Sequence, residues 1–233
     1  MWVNFVVDVF VIPLVVWLGY MLYRFPGKPE IIFSKCIANK DISLNGKTYP
    51  EYTISYMNFG GRNLIECSRV VRLTVETRDT PGRLMKKAVS HLSMGDTNIV
   101  PLIHGIELSK PIVADIHIEN MHEFKRKARY SPDISAKADA GTLRLDEILE
   151  RYGDDKTDIE VHISGDDGRD GRMHFTKHYT FSDIYSGEFV PVASEDLKRL
   201  QGLHRKYLCR KLLFWKSERL LREAIDIISN VRA

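Results

Sequence analysis

The chain has 233 residues, 44% of them hydrophobic and 28% charged, with a formal net charge of +3 and three cysteines. This composition is ordinary for globular material: it excludes a disordered or low-complexity chain, and a charge this small gives by itself no case for nucleic acid as a partner. Cys36, Cys67 and Cys209 show neither paired nor metal-ligand spacing, which fits a reducing compartment where each serves as a small buried hydrophobe.

The first element in chain order is "MWVNFVVDVFVIPLVVWLGYMLYRF". As a helix, Trp2 to Tyr23 would rise about 33 Å, the thickness of a bilayer's hydrocarbon core. The expectation is a transmembrane helix over residues 1–24, retained in the mature protein because the flanks lack a signal peptide's basic start and small-residue cleavage site. Arg24, Lys28 and Lys35 follow the apolar run while nothing basic precedes it. That bias predicts a single-pass protein of the inner (plasma) membrane with its C-terminal part in the cytoplasm. Trp17, Tyr20 and Tyr23 fit an inner aromatic belt, and the three cations fit contact with the membrane surface. Pro13 frees a backbone carbonyl and can bend the helix.

Asp8 does not belong in so apolar a segment, since an ionisable side chain in hydrocarbon costs at least about 2.5 kcal/mol. One reading has it near the outer end, reaching headgroups or staying protonated. The other has several such helices meeting around an axis that the carboxylates line, where they would concentrate cations.

Residues 25–30 form a short, stiff linker with two prolines and a glycine within "RFPGKPE". From residue 31 to about 118 the pattern is strand-like in "EIIFSKCI", "EYTISYMNF", "LIECSRVVRLTVE", "NIVPLIHGI" and "PIVADIHI", and Asn45-Gly46 is a hairpin signal. Residues 119–142 read as a polar, basic insert whose "HEFKRKAR" is a solvated loop or a phosphate or acidic-partner site. A short helix follows in "TLRLDEILERYG", with Thr142 or a neighbour as cap, Leu145, Ile148 and Leu149 on one face and Gly153 as stop. "TDIEVHIS" and "RMHFTKHYTF" then make a hairpin, so that a β-sandwich occupies 31–192. Residues 193–233 read as one basic amphipathic helix, with a stripe of Phe214, Leu221, Ile225 and Ile228. Lys206, Arg210, Lys211 and Trp215 would suit an anionic membrane surface, or form a solvated face over a packed one.

Further motifs weigh toward structure. "DDGRDG" places Asp166, Asp170 and Gly171 as a calcium loop would, but Gly168 and Lys177 stand where ligands are needed, so a plain turn is expected. His174 and His178, about 13 Å apart on a strand, are too far apart to share a metal. "FGGR" at 59–62 lacks the flanks of a phosphate loop, and no catalytic triad, nucleophile elbow or cofactor motif emerges, so no enzyme and no cofactor are expected.

Five segments in order resemble the inner helix and cytoplasmic domain of inward-rectifier potassium channels. "VVDVFVI" is similar to the pore-lining helix around its acidic position, "IIFSKCIA" to the strand that follows, and "ISYMNFGGRNLIECSRVVRLTV" to a strand pair carrying an asparagine and a glutamate, here Asn58 and Glu66. "PIVADI" resembles the segment whose loop narrows the cytoplasmic pore, and the stretch from 163 to 192 resembles a hairpin that ends in Tyr179, Asp183-Ile184, Gly187 and Phe189-Val190-Pro191-Val192. The resemblance implies a mainly β, immunoglobulin-like sandwich of the E-set kind that assembles as a homotetramer below the bilayer, with Asp8 lining the pore. Potassium ions and anionic lipid would be its further partners, and nucleic acid would not. The outer helix and the T-x-G-Y-G filter are not in this sequence, so the chain is expected to be a pore-less relative or the back half of a longer one. A tethered module that binds a protein or lipid without moving ions is the alternative.

Overall fold

The computed structural model describes residues 9, 11–24, 27–44, 46–77, 86–94, 99–106, 110–117, 136–137, 144–153, 157–212 and 217–232. Asp8 and nearly all of the insert 119–142 lie outside them, as do Phe214 and Trp215 and the side chains of Arg24 and Lys211.

The chain is mainly β. Helix α1 (Ile12–Arg24) leads into strands β1 (Ile31–Leu44), β2 (Lys47–Asn58), β3 (Leu64–Thr77), β4 (Lys86–Met94), β5 (Ile99–Ile103) and β6 (Ile112–His117). Helix α2 (Leu145–Tyr152), strands β7 (Thr157–Asp166), β8 (Arg172–Tyr179), β9 (Ile184–Ser186) and β10 (Glu188–Phe189), helices α3 (Ser194–Leu212) and α4 (Glu218–Ile228) and strand β11 (Val231–Arg232) follow. Nine strands form one sheet in the order β8-β7-β3-β4-β6-β2-β1-β9, with β5 also on β3, while β10 and β11 pair separately. The sheet has two halves. Strand β4 pairs with β3 through Val71↔Leu92 and with β6 through Ser93↔His117, so it passes from one half to the other.

Side-chain alternation sets which face of each strand turns inward. In β7, Thr157, Ile159, Val161 and Ile163 are buried while Asp158, Glu160 and His162 face out. Ile159, Val161 and Ile163 share one core cluster with Ile37, Ile54 and Tyr56 of the other half and with Leu145, Ile148 and Leu149 of α2. The register Leu44↔Lys47 leaves the expected two-residue loop at Asn45-Gly46, and Gly46 has φ +76°. Strand β1 starts with a continuous apolar run because both its faces are covered: Ile31 and Phe33 enter the main core, and Ile32 joins Met57, Phe59 and Ile106 beneath α3 and α4.

Helix α2 keeps the expected stop, the Gly153 N–H donating to Leu149 O at 2.9 Å, but not the expected cap. Arg144 occupies the N-cap position without a side-chain bond, and the buried Tyr52 hydroxyl accepts from the Leu145 N–H at 2.9 Å instead, while donating to Asp146. Burial and the Asp146 carboxylate push the Tyr52 hydroxyl far up, so it remains an un-ionised cap.

Three other expectations are corrected. Strand β4 was not foreseen. The C-terminal segment is not one helix: two helices pack against each other, Leu220, Ala224 and Ile228 are the buried stripe of the second, and Val231–Arg232 is a strand on β10. Cys36 and Cys67 are buried as expected, but Cys209 is exposed.

Candidate functional site at the helix–domain junction

Helix α1 is largely apolar, and the side chains of its first half are exposed: Leu14 is 54% exposed, Val16 64% and Trp17 50%. Among the described residues no helix is long and apolar enough to cross a membrane, so the span expected from Trp2 to Tyr23 is not supported; its first residues lie outside those described. Pro13 falls in the first turn of α1, where a missing N–H is tolerated, and Val9 and Val11 just before it form a wider π-helical turn.

The linker from Gly27 to Glu30 does not hang free but is keyed into the β domain by Asn58 and the "FGGR" loop. The buried Asn58 accepts with Oδ1 from the N–H groups of Glu30 (3.0 Å) and Gly60 (2.9 Å) and donates with Nδ2 to Arg62 O at 2.7 Å. Phe59 N–H donates to Glu30 O at 2.8 Å, and Arg62 N–H donates to Gly27 O at 2.6 Å. Gly60 is more than a turn former, because a Cβ there would lie 2.0 Å from the Lys28 carbonyl oxygen. Only glycine lets the two backbones approach this closely.

Charge closes the clasp from the far side. Arg62 reaches the β7–β8 turn, pairing with Asp167 at 3.0 Å and Asp170 at 2.8 Å, and Lys28 lies 3.4 Å from Asp170. The Arg62 hydrogen bond, followed by Lys28, holds the Asp170 carboxyl below the usual carboxylate range. The "DDGRDG" stretch is thus the plain turn expected, with Asp167 Oδ1 accepting from the N–H groups of Arg169 (2.9 Å) and Asp170 (2.6 Å). Helix α3 adds a third hold: the Tyr207 hydroxyl donates to the Glu30 carboxylate at 2.6 Å and its ring meets Phe59 edge-on at 5.7 Å.

No family model matches this chain. No curated protein matches it either. The residues singled out by the channel resemblance nevertheless have definite structural roles. Tyr179, buried, donates to Ser34 O at 2.9 Å and pins the bulge in β1, while Asp183 closes the turn from Thr180 through bonds of 2.8 and 3.1 Å. Gly187 has φ +134° and donates to Asn39 O at 2.8 Å. Glu66, its φ +48°, stands exposed on a bulge of β3.

The cations expected at a membrane surface divide by environment. Lys28 and Lys35 are exposed but engaged, Lys28 with Asp170 and Lys35 with Asp226 of α4; Lys206 and Arg210 are exposed on α3. Lys35 also lines a cleft of about 790 Å³ between β1, β9 and the two C-terminal helices, together with Cys36, Asp183, Arg199, Glu223 and Asp226. Burial first, then Asp183, pushes the Cys36 thiol up, which keeps it protonated and a poor nucleophile at neutral pH. Among the described residues no three His, Cys, Asp or Glu side chains gather to hold a metal. The sequence marked Asn58 and "FGGR", but not the Arg62–Asp170 and Tyr207–Glu30 contacts, whose partners are 108 and 177 residues apart.

Proposed function

We propose that the protein is a membrane-anchored, channel-like subunit in which an N-terminal apolar helix, repeated around an axis in a homotetramer, is coupled to a cytoplasmic immunoglobulin-like β domain. The single observation that supports this reading over a plain tether is the clasp. A tether has no need to fix its linker, whereas Asn58, Gly60, Arg62, Asp170 and Tyr207 hold Gly27–Glu30 from two loops and a helix, so a displacement of the domain would be passed to the helix that precedes the linker. The exposed apolar surface of α1 fits the hydrocarbon of a bilayer or neighbouring copies of itself. Asp8 would face the shared axis, potassium would be the ion attracted, and Lys206 and Arg210 would lie toward anionic lipid.

Crosslinking of the full chain in its native membrane tests assembly, and potassium flux from vesicles carrying the purified chain, beside Asp8→Asn, tests the axis. The reading expects crosslinked tetramers and a flux that the substitution changes. Crosslinking that stops at the monomer would remove it. A second reading, a tethered binding module, is favoured by the cleft beside Lys35 and Cys36; it predicts monomers and no effect of Asp8→Asn.

A further inference from the structure

We propose that His162 and His174 form a surface binding site for a first-row transition-metal dication such as Zn²⁺ or Cu²⁺, joining strands β7 and β8. Backbone register places the pair. Ser164↔His174 and His162↔Thr176 are neighbouring pairs, so the two imidazoles are diagonal neighbours on the outward face, and the burial of Val161 and Ile163 on the opposite face fixes that orientation. His162 Nε2 lies 3.2 Å from His174 Nδ1, with ring centroids 5.3 Å apart and planes inclined by 32°.

Two nitrogens bound to one tetrahedral zinc at about 2.0–2.1 Å stand about 3.3 Å apart. The pair already has this spacing, and both rings face solvent, so a small rotation of each turns its lone pair onto a common ion. His162 Nδ1 lies 3.1 Å from Thr176 Oγ1. When that nitrogen donates to the hydroxyl, Nε2 is left bare and the ring is oriented, which is what an outer partner does for a metal-bound imidazole. Burial, and after it His174 and Arg72, lowers the basicity of His162, which favours the neutral form a metal needs. Water would complete the coordination. His178 is engaged with Asp158 at 3.0 Å and serves as a control outside the site.

The position gives the site a structural consequence. Asp166↔Arg172 is the next outward-facing pair beyond Ser164↔His174, and past it lies the turn whose Asp170 holds Lys28 and Arg62. A bound ion would therefore tie together the two arms of the hairpin that grips the linker.

The test uses the full chain in detergent, stripped of metal with a chelator. Zn²⁺ is titrated while the unfolding temperature is followed, beside His162→Ala, His174→Ala, His178→Ala and Thr176→Val. The expected result is a rise in unfolding temperature for the unaltered chain and His178→Ala, none for the other two histidine variants, and a midpoint shifted to about 10–100-fold more Zn²⁺ for Thr176→Val. With Cu²⁺, electron spin resonance should show two coordinated nitrogens, reduced to one in His162→Gln, which keeps a polar side chain on the same face should the alanine variant not fold. An equal Zn²⁺ response in the unaltered chain and His162→Ala, or no response in either, would overturn the proposal and leave the pair a plain N–H···N hydrogen bond.

Discussion

Replacing Asn58 by leucine keeps the number and branching of the side chain's heavy atoms and removes all of its hydrogen bonding. The N–H groups of Glu30 and Gly60 and the carbonyl of Arg62 lose their partner at once, at a position where the side chain has no exposure. A buried polar group left unpaired costs about 1–3 kcal/mol. The neighbouring Gly61 is exposed, so water can relieve part of this, and the expected loss is about 3–5 kcal/mol. That is a large share of the about 5–15 kcal/mol that holds a typical domain, and for a chain of this size it lowers the unfolding temperature by about 10 °C or more. Urea unfolding of the full chain in detergent, followed by circular dichroism, measures it. Limited proteolysis at the linker gives a second readout, because the same substitution frees Gly27–Glu30. A loss under about 1 kcal/mol with an unchanged cleavage pattern would refute the view that Asn58 holds the junction together.

Gly60→Ala should destabilise the chain by about 1–3 kcal/mol and expose the linker to protease, since the new methyl meets backbone and not a movable side chain; wild-type behaviour would show that the linker can shift freely. Tyr207→Phe should lose about 1–2 kcal/mol in the same urea assay, as a half-buried bond to a carboxylate. Asp226→Asn, which removes an exposed pair with Lys35, should lose no more than about 1 kcal/mol, and a larger loss would make that pair a structural anchor. Because His162 takes up a proton less readily in the folded chain than in the unfolded one, its contribution is fully present above the ordinary histidine value of about 6.5 and is lost as pH falls through its lower folded value. Stability measured against pH should therefore show a shallower acid limb in His162→Asn, and coincident limbs would contradict this.

Local signals in the sequence carried far. Asn45-Gly46 marked its hairpin, the strand-like runs marked β2, β3 and β7, and Leu145, Ile148 and Leu149 marked the packed side of α2. Strand β4 escaped because Val89, Leu92 and Met94 are spaced without strict alternation among Lys86, Lys87, Ser90, His91 and Ser93. The cap of α2 escaped because its oxygen comes from Tyr52, far away in the chain. The division of the C-terminal segment rests on Val231–Arg232 finding Glu188–Phe189, a pairing that helical periodicity cannot reveal. For the candidate site, the sequence exposed the small and amide residues of the loop, and the ion pairs that complete it depend on which distant carboxylates the fold brings near.

Strand β4 is shared by both halves of the large sheet, and this leaves the domain without a seam. One half cannot swing away from the other unless backbone hydrogen bonds break. On the proposed coupling, movement delivered to the linker would come from tilting both halves together, through the contacts that hold Gly27–Glu30.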